Sequence, residues 1–198
     1  MDKKPAKGEY LEVLLRSPQT IFSTKDVALL WGEETDAAVR VRLSNYIKTG
    51  KLIRVHRGLY AKDKNYSRLE LATRIYTPSY VSFETVLTRE GINFQHYTNI
   101  FVASPVNKEI IADVQKITFI RMKDYVLSNT LGVEHKDGVA TAIKERAFLD
   151  RVYISKDYHF DNLRSLDWNK VMEILPIYNN KRLEKKVKQY FKSLDQNK

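Results

Sequence analysis

Five residues between positions 40 and 48 carry the chemistry of a nucleic-acid reader: Arg40, Arg42, Ser44, Asn45 and Lys48. Arginine makes paired hydrogen bonds to guanine in the major groove, and asparagine does the same to adenine. Lys48 comes late in the stretch, where a phosphate contact is the expected role. A second basic group follows at Arg54, His56 and Arg57, with chemistry suited to backbone or minor groove. Thr24 and Lys25 sit where a helix is expected to start, and can meet phosphate through side chains and free N–H groups. Any one surface arginine among these residues reads more readily as solvated than as base-reading. The weight rests on their arrangement.

That arrangement needs a scaffold. Val39, Leu43, Tyr46 and Ile47 recur at i, i+4, i+7 and i+8, which predicts a helix with one apolar stripe and with the polar residues beside or opposite it. Thr35 or Asp36 can cap its start, and Gly50 stands where a left-handed residue ends it. Leu52–Val55, a basic turn through His56-Arg57-Gly58, and Leu59–Ala61 predict a two-stranded wing. Upstream, Gly8–Arg16 reads as a first helix with Tyr10, Leu11, Leu14 and Leu15 on one face, stopped at Ser17-Pro18. Lys25–Leu30 reads as a second, capped by Ser23 or Thr24. Three helices and a wing make a winged helix-turn-helix, a fold that also serves as a protein-binding module.

The chain has 198 residues, allowing one or two domains, and its 43% apolar content supports a packed core. Without cysteine there is neither a disulfide nor a thiolate zinc site. The charged start MDKKPAKGEY lacks a signal core, and no apolar run reaches the ~18 residues of a membrane span, so a cytoplasmic protein is expected. Net charge is +10, unevenly spread. Residues 1–66 hold 13 Lys/Arg against 8 Asp/Glu, residues 67–180 hold 14 of each, and residues 181–198 hold 7 against 2. Basic ends around a neutral middle suit a polyanionic partner.

Beyond a polar joint at residues 62–68, the pattern predicts a mixed α/β domain over 67–198, giving an α+β protein with the reading domain at 1–66. Leu69–Ile75 is a helix, Tyr80-Val81 a short strand, and Ser82 opens a helix ending at Gly91. Asn99–Ala103 and Lys116–Arg121 are strands, and Tyr125–Leu131 is ambiguous. Val133–Thr141 forms a hairpin turning at Asp137-Gly138. Lys144–Tyr153 is a helix, and Asp167 caps another over Trp168–Leu175. In the final helix, Lys181–Leu194, the residues Leu183, Val187, Tyr190, Phe191 and Leu194 face one way and Lys181, Lys185, Lys188 and Lys192 the other. The lysines are either a solvated face or secondary phosphate or partner contacts.

No enzyme motif emerges. His56, His96, His135 and His159 form no ligand pair, and no P-loop, GxGxxG or GxSxG occurs. Glu145 and Asp150, five residues apart on one helix, fall on different faces, and Glu84 and Glu90 read as solvated or capping groups. Neither an enzyme, a cofactor nor a metal is expected.

Three blocks stand in order: a helix and wing ending RGLYA (57–61), ELATRIYTPSYVSFETVLTREGI (70–92) and AIKERAFLDRVY (142–153). Together they resemble the AbiEi-like antitoxins and transcriptional regulators of type IV toxin–antitoxin systems in bacterial abortive infection. The resemblance spans roughly Phe22 to Tyr153. It departs at Lys144, where a proline is expected before Glu145. It implies a winged helix that represses its own operon by binding promoter inverted repeats in double-stranded DNA. It also implies a C-terminal domain that opposes a nucleotidyltransferase-like toxin without forming a stable complex with it. DNA contact then falls on Arg40, Arg42, Asn45, Lys48, Arg54 and Arg57, and the blocks at 79–84 and 144–150 carry fold and antitoxin function together. The alternative is a module that binds a toxin directly, with the winged helix as scaffold.

Overall fold

The computed structural model describes residues 8–33 and 35–195. Most of the charged leader and Glu34 lie outside the described residues, as does the Asp36 side chain that was one candidate cap. The chain divides into two compact units that meet at Ile75/Tyr76. This is later than the expected joint, because helix α4 (Arg68–Ile75) packs on the first unit's strands. Glu70, 1% exposed, fixes it there: its Oε2 accepts from the backbone N (2.9 Å) and Oγ1 (2.6 Å) of Thr20.

In the first unit α1 (Tyr10–Arg16), α2 (Thr24–Trp31) and α3 (Asp36–Lys48) surround Leu14, Val27, Trp31, Val39 and Leu43. Trp31 is the centre. Its indole N–H donates to the Tyr10 carbonyl at 2.7 Å, and Tyr10 and Tyr46 meet its ring edge-on. Leu15, expected on the buried face of α1, is instead half exposed. The expected wing strands are β2 (Ile53–His56) and β3 (Leu59–Ala61), with Gly58 in the turn at φ +75°. They do not stand alone. Ile21–Ser23 forms β1, which pairs antiparallel with β3, so the sheet has the order β1-β3-β2.

The second unit holds a six-stranded sheet in the order β6-β7-β5-β4-β9-β8. Its strands are β4 (Tyr80–Val81), β5 (Ile100–Ser104), β6 (Lys108–Ala112), β7 (Gln115–Arg121), β8 (Val133–Lys136) and β9 (Val139–Ala142). Pairings β5–β7 and β4–β9 are parallel and the rest antiparallel. Asp137 and Gly138 both take positive φ, as a type I′ hairpin turn requires. Helices α5 (Glu84–Arg89), α6 (Asp124–Leu127), α7 (Lys144–Ile154), α8 (Trp168–Ile174) and α9 (Lys181–Asp195) complete the unit. Helix α7 begins at Lys144 without a proline, and α8 is capped by Asp167, whose carboxylate accepts from the N–H groups of Asn169 and Lys170. Among the described residues, no helix is long and apolar enough to cross a membrane.

A buried charge pair anchors this unit. Arg146 and Asp150, one turn apart on α7, are both fully buried, with Nε 3.4 Å from Oδ1. The Arg146 guanidinium also donates to the carbonyls of Leu131 (2.7 Å) and Val126 (2.8 Å) and to the Tyr80 hydroxyl (3.0 Å). Asp150 accepts from Ser82 Oγ and Tyr178 Oη, each at 2.7 Å, and from Tyr80 Oη at 3.2 Å. Burial pushes the Tyr80 and Tyr178 phenols well above their ordinary range, so both remain hydroxyl donors. Gly132, at φ +75°, leaves room for this arrangement, since a Cβ there would lie 2.8 Å from Ile174 Cδ1 and 3.0 Å from Arg146 Cβ.

Asp150→Ala strands the guanidinium in the core and is expected to cost about 3–5 kcal/mol in urea unfolding. Because the two phenols titrate higher folded than unfolded, the stability they contribute is complete below about pH 10 and lost as pH rises above it. Urea midpoints between pH 8 and 11 measure that loss.

Candidate nucleic-acid interface

Helix α3 buries Val39 and Leu43, with Tyr46 and Ile47 half-buried against the same core. At 100° per residue, the opposite face is then Ala37, Val41, Ser44, Asn45 and Lys48, with Arg40 on its flank beside Ile47, and all six are exposed. The helix starts after Thr35, whose side chain makes no cap bond, and ends into Gly50 at φ +70°. Four of the five polar residues singled out on this stretch therefore share the solvent side.

Arg42 does not join them. Its Nη1 donates to the Glu33 carboxylate, and its guanidinium lies 4.1 Å from the centre of the Tyr10 ring. The Glu33 hydrogen bond, then the negative charge of that carboxylate, outweigh partial burial and raise an already high pKa. Arg42 thus joins α1, the segment after α2 and α3, a structural role that the expectation of DNA contact at this residue did not include. Asn45 stands beside it, in a shallow groove with Gly8, Tyr10 and Tyr46.

On the hairpin, Arg54 and Arg57 are exposed and His56 is half-buried. The β2–β3 register shifts between Arg54 and His56, a bulge that turns the strand end. At the start of α2, Lys25 is exposed and Thr24 half-buried. Ser23 is the cap: its Oγ accepts from Asp26 N, while the Asp26 carboxylate accepts from Ser23 N and pairs with Arg74 at 2.7 Å. One first-turn N–H is therefore taken, and a carboxylate stands close to where a phosphate would approach.

The second unit's basic helix divides its cations by function. Lys186 pairs with Asp157 and Arg182 donates to the Tyr153 carbonyl. Lys181, Lys185, Lys188 and Lys192 are exposed and make no ion pair among the described residues. They line one shallow groove with Glu184 and Gln189.

The candidate acidic residues are committed to structure. Glu145 Oε1 accepts from Asp167 N at 3.0 Å, and Asp150 belongs to the pair above. Glu84, expected as a solvated or capping group, is 3% exposed and pairs with Arg151 at 3.1 Å, directly after Phe83 at φ +53°. Arg151 in turn stacks 4.4 Å from the Tyr158 ring centre. Glu90 is exposed and pairs with Arg89. Among the described residues, no three His, Asp or Glu side chains gather closely enough to hold a metal ion.

No family model matches the chain, and no curated relative matches it. Among solved structures it is similar to the crystal structure of the RV2827C protein from Mycobacterium tuberculosis, at 12% sequence identity and a TM-score of 0.46. The match covers 77% of this chain and 62% of that one, so the chain spans less than two thirds of that protein's length.

Arg42→Ala is expected to lower the stability of the first unit by about 1–2 kcal/mol, a charged hydrogen bond discounted for its partial exposure. Arg42→Lys is expected to recover only part of that, because an ammonium lacks the planar fork and stacking face. Thermal melts of the two variants against the parent measure both effects.

Proposed function

We propose that this protein is a sequence-specific DNA-binding autorepressor and antitoxin of the AbiEi-like type IV class, with a winged helix-turn-helix as its reading unit. The observation that carries the reading is the solvent face of α3. Arg40, Ser44, Asn45 and Lys48 are exposed together on it, and the β2–β3 hairpin of the same unit exposes Arg54 and Arg57. Base-edge and phosphate chemistry thus occur on one helix and one hairpin, the parts a winged helix uses for groove and backbone. The order of three helices and then a hairpin supports the same assignment.

In this reading Arg40 and Asn45 meet base edges, with Ser44 between them. Lys48, Arg54, Arg57 and Lys25 meet phosphate, and the promoter inverted repeats of its own operon are the target. The second unit opposes a nucleotidyltransferase-like toxin without holding it in a stable complex, and the protein is not an enzyme. Its polar residues at 79–84 and 144–150 act mainly inward, through Tyr80, Ser82, Glu84, Arg146 and Asp150, which are all buried.

Titration of fluorescent promoter duplexes with the purified protein tests the first part. Lys48→Ala and Arg57→Ala are expected to weaken every duplex and to lower the salt slope of binding by about one each. Arg40→Ala and Asn45→Ala are expected to cost on the order of 1–3 kcal/mol at particular base pairs and to relax preference there. Equal weakening on all duplexes by all four variants contradicts the division into readers and anchors. Co-purification with the product of the neighbouring gene supports direct toxin binding instead.

A further inference from the structure

The outward face of α3 has an apolar residue at its middle. Val41 is 63% exposed, on the side of the helix opposite Val39 and Leu43. One turn before it stands Ala37 and one turn after it Ser44, with Arg40 beside it. In a helix, valine loses side-chain freedom and forms helix less readily than alanine, lysine or glutamate. In a core, burial offsets that cost, but here no burial does. Its stiffness has another effect: a helical valine keeps essentially one χ1 rotamer, so its two methyl groups project as a fixed knob. The short side chains of Ala37 and Ser44 let the backbone around that knob come close to a surface. The longer Arg40 and Lys48 extend past it.

We propose that Val41 is a specificity-determining residue that reads a thymine through its C5-methyl group. This rests on the reading of α3 as a major-groove helix. The thymine methyl is the apolar feature of the major-groove edge, and an aliphatic side chain is its complement. A polar residue at position 41 would suit solvent but would leave the methyl unread. Val41 therefore adds an apolar contact to the polar readers Arg40 and Asn45. The face then distinguishes A·T from T·A by the side on which the methyl lies.

The test uses the full chain and a duplex that the chain itself selects from a random pool. Each thymine of that duplex is replaced in turn by uracil, which removes only the methyl and keeps the base pair. At fixed salt, one replacement is expected to weaken the parent protein about four-fold, the affinity of one buried methyl-sized group. Val41→Ala is expected to lose about the same factor on the thymine duplex and nothing more on the uracil duplex. Alanine is the better helix former, so folding is not at issue. Insensitivity of the parent to every uracil, or equal sensitivity in Val41→Ala, overturns the assignment and leaves DNA binding standing. A Val41→Ala variant with unchanged DNA affinity but weaker self-association in sedimentation also overturns it and makes the valine a protein contact. If no duplex is enriched over the starting pool, the DNA-binding reading falls and this inference with it.

Discussion

A carboxylate with no access to water must be met by donors, and in the second unit that need falls on Asp150. Three hydroxyls and one guanidinium meet it, from β4, the turn after β4, α7 itself and the 3-10 turn at Leu175–Tyr178. Arg146 carries the opposite charge and spends its remaining donors on the carbonyls of Val126 and Leu131. Chain segments distant in sequence are thereby held at hydrogen-bond distance from one helix. Gly132 leaves the space this set needs, and Tyr178 turns inward to join it. A hydrophobic core of the same volume would hold as well, but it would not fix these segments by direction.

The first unit depends on a smaller version of the same device. Trp31 fills its centre, and Arg42 reaches across from α3 to Glu33 and Tyr10. The pair is partly exposed and contributes less than the buried one, and it ties the flank of α3 to the segment after α2. With Arg42 turned inward, the helix presents Ala37, Arg40, Val41, Ser44, Asn45 and Lys48 outward.

Most of the element order was legible in the sequence, because helix stripes, glycine stops and the Asp-Gly turn have local causes. The strand β6 was not. Lys108–Ala112 lies at a sheet edge with Ile111 74% exposed, so no alternation marks it. The four-residue α6 is too short to show a period, and β1 is recognisable only through its partner β3. At the candidate interface, helical spacing identified the outward polar residues but gave no sign of Arg42's partners, a glutamate nine positions and a tyrosine thirty-two positions earlier in the chain. The signal for the buried pair was present. Arg146 and Asp150 stand at i and i+4 among apolar neighbours, whereas comparing Glu145 with Asp150 as an acid pair led to two groups with unrelated partners. Nothing local announces that Glu84 is buried, since its partner Arg151 stands sixty-seven positions later in the chain.

The separation of duties on α3 also bears on how such a protein diverges. Residues that hold the helix, among them Val39, Arg42 and Leu43, are interleaved in sequence with the exposed Ala37, Val41, Ser44 and Lys48, yet the two sets are separate in space. Substitutions on the outward set touch no packed neighbour and change stability by only about 0.5 kcal/mol in either direction. Positions 37, 41, 44 and 48 can therefore vary in combination at little risk to folding, while position 42 cannot. Duplicated copies of this chain can acquire different partners through a handful of surface changes, each intermediate remaining a folded protein.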